Sequence, residues 1–174
     1  MRVIGKPAKI LFFREHIENL IRSLKVYKIN KKSIKQNILK LIKLNLKKNK
    51  KYDHLFRVAA NNKMISISLR KRFKPKSNFS LKLINYKRIE PEYKNLKYKK
   101  IMSFLKKMDT TKSDIALYKN KKILESGTSN LLFIKKNKIY SPINNFYRGT
   151  TLKFFTKKIK KIKKINIFTD SLND

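Results

Sequence analysis

The chain has no cysteine, which excludes disulfides and thiolate zinc sites. It has no tryptophan either, and only 3 glycines and 4 prolines among 174 residues. Acidic residues are scarce as well: 10 Asp and Glu stand against 47 Lys and Arg, a formal charge of +37. No apolar run approaches the roughly 18 residues a membrane-spanning helix needs. The start of the chain lacks the apolar stretch of a secretory signal. The expectation is a cytoplasmic protein that no membrane holds.

Lysine, asparagine, isoleucine, phenylalanine and tyrosine are abundant, and all have A/T-rich codons. Glycine, proline and tryptophan, whose codons are G/C-rich, are scarce. The charge therefore reads mainly as codon drift. Arginine is the residue suited to bidentate phosphate and base contacts, and it is rare here. Any nucleic-acid binding should be non-specific and steeply salt-dependent. A basic RNA- or ribosome-binding protein is the rival reading from charge alone. The hydrophobic share, 41%, is enough for a core. The length suits one ordinary domain or two small ones.

Apolar spacing predicts a helix over Phe12 to Tyr27, with Ile17, Leu20, Ile21 and Leu24 on its buried face. A second helix is predicted from about Lys32 to Lys48, with a stripe of Ile34, Ile38, Leu41, Ile42 and Leu46. Residues 55–60 and 64–69 read as a hairpin across Asn61-Asn62-Lys63, because Ile65, Ile67 and Leu69 alternate with polar residues. Residues 81–86 form a further strand candidate. Residues 87–92, with Pro91, read as the connection between two halves. A helix over 98–108 follows, then short strands at 115–118, 123–125, 131–134 and 139–141. Thr150 or Thr151 is placed to cap a last helix, and 165–168 could be a final strand.

Among the few acids, Glu125 ends an apolar strand and precedes the small-residue turn Ser126-Gly127-Thr128-Ser129-Asn130. A carboxylate there needs a cationic partner or turn amides. Arg148-Gly149-Thr150-Thr151 opens a helix, where unpaired amides and the dipole favour an anion. Alone, that stretch is equally a plain helix cap.

Taken together, residues 124–152 (L-E-S-G-T-S-N-L-L-F through S-P to G-T-T-L) resemble the cofactor core of the class IV aminotransferases, pyridoxal-phosphate enzymes of fold type IV. The first helix resembles the same family in its R-E-H pattern around His16. The resemblance implies an α+β fold of two lobes, 1–88 and 89–174, with the cofactor cleft between them in a homodimer. It implies pyridoxal 5'-phosphate as cofactor and a small-molecule substrate, an amino acid or keto acid, as in a branched-chain aminotransferase. The alternatives are a 4-amino-4-deoxychorismate lyase or a reduced, non-catalytic remnant. Glu125 would hold the pyridine nitrogen. Gly149, Thr150 and Thr151 would cradle the phosphate. Lys94, ungapped in its spacing to Asp114, would form the internal aldimine, with Lys97 as rival. Tyr98 would contact the ring oxygen. The family's phosphate-binding arginine on the first helix is replaced by Asn19, and Arg22, nearly a turn on, is the candidate to compensate.

Overall fold

The computed structural model describes residues 1–29, 32–159 and 161–172. Its contacts divide the chain into two compact units, Met1–Phe73 and Lys74–Asp174.

In the first unit, β1 (Arg2–Gly5) pairs antiparallel with both β2 (Lys9–Ile10) and β3 (Tyr52–Ala60), and β3 pairs with β4 (Ile65–Lys71). The predicted hairpin forms, with Ala60 opposite Ile65. Its turn is fixed by the Asn61 side chain, which accepts from the amides of Lys63 and Met64. Helices α1 (Phe13–Val26) and α2 (Ile34–Asn45) supply Ile17, Leu24, Ile34 and Ile38 to a core completed by Val58 and Ile65. Each such buried aliphatic side chain is worth about 1.5–3 kcal/mol. One face was misread from apolar residues alone. Ile21 is exposed, while Asn19 and Ser23 are buried. Ser23 can go inside because its hydroxyl donates to the Asn19 carbonyl one turn back.

The second unit contains two strand–helix–strand crossovers. In the first, β5 (Ser80–Asn85) runs through the loop at 86–98 into α3 (Lys99–Leu105) and returns as β6 (Ser113–Lys119), parallel to β5. Parallel neighbours need such a crossover. Ile101 and Leu105 of α3 pack on Ile115 and Leu117 of β6. A tight turn with positive φ at Asn120 and Lys121 leads back to the antiparallel β7 (Lys122–Ser126). In the second crossover, β8 (Phe133–Lys135) and β9 (Lys138–Ser141) form a hairpin. The chain then passes through the loop at 142–149 and α4 (Thr150–Lys158) to β10 (Ile162–Lys164), parallel to β9. The final strand predicted at 165–168 is reduced to a single bridge, Phe168 with Lys122, beside β7.

The two units meet in sequence earlier than the expected lobe boundary at 88. Residues 74–88 group with the second unit because β5 is bonded along its length to β6. Residues 87–92 are therefore an internal loop of that unit. Open α/β sheets place ligands beyond the carboxyl ends of parallel strands. The loops after β5 and β9 carry Lys94, Tyr98 and Gly149, three of the residues singled out from sequence.

Candidate active site

Glu125 is the next-to-last residue of β7, held inside by its apolar neighbours Ile123 and Leu124, and is only 5% exposed. A buried carboxylate without a counter-charge would be strongly destabilising. Arg88, in the β5–α3 loop, provides that charge. Its Nη2 lies 2.9 Å from Glu125 Oε1 and donates to Oε2 at 3.1 Å. The same guanidinium donates to the Pro91 carbonyl at 3.1 Å and to the Tyr98 hydroxyl at 3.2 Å. One arginine thus folds the loop around itself and ties Tyr98 to the acid. Asn95, also buried, donates from its amide to the carbonyls of Ile89 and Glu90 and accepts from the Lys97 amide.

That stapled loop presents Lys94. Its ammonium sits over the Tyr147 ring, 5.0 Å from the centroid, and is close enough for its charge to act on Glu125. Lys97 points to another partner, Glu90, at 2.8 Å. Tyr147 in turn donates its backbone amide to Glu125 Oε2 at 3.4 Å. Burial dominates the acid's ionisation. Desolvation pushes the Glu125 carboxyl up to about 7, against the downward pull of Arg88, the Tyr147 amide and Lys94.

The turn after Glu125 is pinned by a second buried acid. Asp114 accepts from the hydroxyls of Ser126 (2.9 Å) and Thr128 (2.7 Å) and from the Ile115 amide. Ser126 Oγ itself accepts from the amides of Thr128 and Ser129. Gly127 runs so close to this acid that a Cβ would lie 2.8 Å from Asp114 Oδ1.

At the other end, α4 begins after Gly149, whose carbonyl accepts from the Lys153 amide at 3.0 Å. The expected threonine cap is not used. Gly149 is the cap residue, with no side-chain cap, and Thr150 and Thr151 are the first helical residues. First-turn amides have no partner within their own helix. Arg22 lies in the first unit, exposed on α1, where its Nη2 donates to Asn19 Oδ1 at 3.2 Å. A separate hollow of about 490 Å³ lies against the opposite face of β5–β6, beside Leu81, Leu83 and Tyr118. None of the residues singled out from sequence lines it.

The residues present fit a phosphorylated pyridine aldehyde. Glu125 Oε1 is buried and receives no hydrogen bond, despite its closeness to Arg88. With the ion pair to Arg88 in place, this oxygen still has the capacity to accept from a further donor such as a ring N–H. A lysine amine and a helix start lie in the same unit. Sequence reasoning missed Arg88, Asn95 and Tyr147. The one available signal was rarity, since an arginine in a lysine-rich stretch is unusual.

The model of the amino-transferase class IV family matches residues 1–172, and the chain belongs to that family. Solved structures agree in fold. One is provisionally assigned as a 4-amino-4-deoxychorismate lyase from Haemophilus somnus 129PT. It is 19% identical with a TM-score of 0.72, and the match covers 99% of this chain and 88% of that one. A second provisional lyase of that kind, from Legionella pneumophila, is 16% identical with a TM-score of 0.74, covering 99% and 74%. The T.th. branched-chain amino acid aminotransferase, complexed with N-(5'-phosphopyridoxyl)-L-glutamate, is 14% identical with a TM-score of 0.77, covering 98% and 66%. No curated protein matches the sequence significantly. No described helix is long and apolar enough to cross a membrane.

Proposed function

We propose that this chain is a pyridoxal-phosphate enzyme of aminotransferase type, acting as a homodimer on an amino acid. The observation that carries this reading is the buried Glu125 oxygen without a hydrogen bond, set beside Arg88 and within electrostatic reach of Lys94. When bound, the cofactor supplies an electron sink for charge developing at the substrate α-carbon.

The chain's own groups do the rest. Glu125 would hold the ring nitrogen, and a positive charge beside it would favour the ionised carboxylate. Arg88 keeps the carboxylate aimed and prevents it from turning towards solvent. Tyr98, tethered to Arg88, holds its hydroxyl on the same side of the loop. The first-turn amides of α4 at Thr150 and Thr151 bind the phosphate, favoured by the helix dipole. The Lys94 amine attaches the cofactor and takes or returns the proton at the substrate α-carbon. Its position over Tyr147, in preference to the Glu90-bound Lys97, supports that assignment.

The test is direct. Protein incubated with pyridoxal phosphate should develop visible absorption, and borohydride reduction with peptide mapping should label Lys94. Absence of both the absorption and the label would remove the reading, and a label on Lys97 would move the attachment point.

Elimination in the manner of a 4-amino-4-deoxychorismate lyase is a second reading. It is supported by the provisional lyases that share this fold, with TM-scores of 0.72 and 0.74. Assays for transfer of the amino group to a keto acid, and for release of 4-aminobenzoate, separate the two.

A further inference from the structure

Asn130 follows the turn that leaves Glu125, and its side-chain amide is used at both ends. Its Nδ2 donates to the Tyr147 carbonyl at 2.6 Å, and its Oδ1 accepts from the Gly149 amide at 2.9 Å. The segment 147–149 is thereby bound at three successive points. The Tyr147 amide is on Glu125, the Tyr147 carbonyl on Asn130, and the Gly149 amide on Asn130. The next residue is the first of α4. One side chain therefore fixes the path from the buried acid to the start of the helix.

Two details sharpen this arrangement. The Gly149 amide is already engaged by Asn130, so Gly149 is a spacer and does not donate to a ligand. Gly149 also has ordinary extended backbone, φ −64 and ψ 156, which any residue can adopt. What excludes a side chain there is Asn130 itself, since a Cβ on Gly149 would lie 2.9 Å from Asn130 Oδ1.

We infer that Asn130 is a positioning residue that sets the separation between the ring-binding acid and the phosphate-binding helix start, and so selects phosphorylated over unphosphorylated cofactor. This rests on the proposed pyridoxal-phosphate reading. A ligand that reaches both ends depends on their spacing, whereas a ligand that lacks the phosphate engages only the acid and the lysine.

The experiment titrates wild type, Asn130→Ala and Gly149→Ala with pyridoxal phosphate and with pyridoxal, by equilibrium absorption. Asn130→Ala should weaken pyridoxal phosphate roughly tenfold or more while pyridoxal changes less than about twofold. Gly149→Ala leaves Asn130 in place but crowds its oxygen, and should reproduce the selective loss if Asn130→Ala does not fold. Inorganic phosphate engages only the helix start, so its inhibition constant against pyridoxal phosphate should change less than about twofold in either variant. Equal weakening of the two ligands would make the clasp a general structural contact and overturn the inference. Unchanged affinity for both would overturn it as well. Failure of wild type to bind either aldehyde removes the underlying reading together with this one, and is seen before any variant is examined.

Discussion

The two units bury different kinds of side chain. In Met1–Phe73 the inside is almost wholly aliphatic and aromatic, with Asn19 and Ser23 as the buried polar residues. In Lys74–Asp174, Arg88, Asn95, Asp114, Glu125, Ser126, Ser141 and Thr150 are all buried. Apolar packing tolerates swaps of similar volume and specifies geometry loosely. A buried polar network demands a partner for every atom and allows few arrangements. The second unit accepts the desolvation cost where charges must be held at fixed places. Among the described residues of the first unit no charged side chain is buried, and it is the more ordinary scaffold.

The sharpest way to break this contrast is to remove Arg88. Arg88→Ala takes away the counter-charge of Glu125 and three hydrogen bonds that fold the loop, and should lower stability by about 3–5 kcal/mol, read from urea unfolding. The double change Arg88→Met with Glu125→Leu should recover most of that loss while abolishing pyridoxal-phosphate binding. A double variant as unstable as the single one would show that the network is needed for folding itself.

Glu125 should also leave a signature in pH. Its folded carboxyl sits at about 7, above the ordinary 4.5. Between these values the unfolded chain releases a proton that the folded chain keeps, so stability falls as pH rises through this window. The full effect is on the order of 3 kcal/mol. Unfolding curves across the window should show this slope in wild type and not in Glu125→Gln. Equal slopes would mean that Arg88 keeps the acid ionised throughout.

Asp114→Ala removes the acceptor of two hydroxyls and one amide in the turn after Glu125. It should cost about 1–3 kcal/mol and loosen pyridoxal-phosphate binding by titration. In the first unit, Ile38→Val trims a fully buried methylene and should cost about 0.5–1.5 kcal/mol without touching cofactor affinity. A loss of affinity there would show that the units are energetically coupled. The smallest effect is expected on the lysine face of α2. Lys40→Gln is exposed and should stay within about 0.5 kcal/mol of wild type.

Much of the fold could be read in advance because local chemistry announces it. The Asn61 turn, the alternation at Ile65, Ile67 and Leu69, and the stripe at Ile34 and Ile38 each follow from a short window of sequence. The segment from Glu125 to Thr151 was read differently, through its resemblance to the family that matches residues 1–172. Arg88 was not. Its partner lies 37 residues away, and its own neighbourhood, with a proline and several lysines, has the look of a linker. Burial of a charge is a long-range event that leaves no periodicity behind. Ile21 failed differently. Hydrophobicity ranked it above Ser23, but a serine that bonds its own helix loses its polarity to the outside.

The crowding at Gly127 bears on the history of the chain as well as its geometry. The sequence is rich in lysine and asparagine, the composition read above as codon drift, and holds 3 glycines. At Gly127 any side chain would meet Asp114 and the Ile115 side chain, both at 2.8 Å. Replacement there is blocked by occupied space, whatever the nucleotide pressure. A drifting composition erodes what is free to change, so the residues left against its direction trace an outline of the places where the molecule has no room.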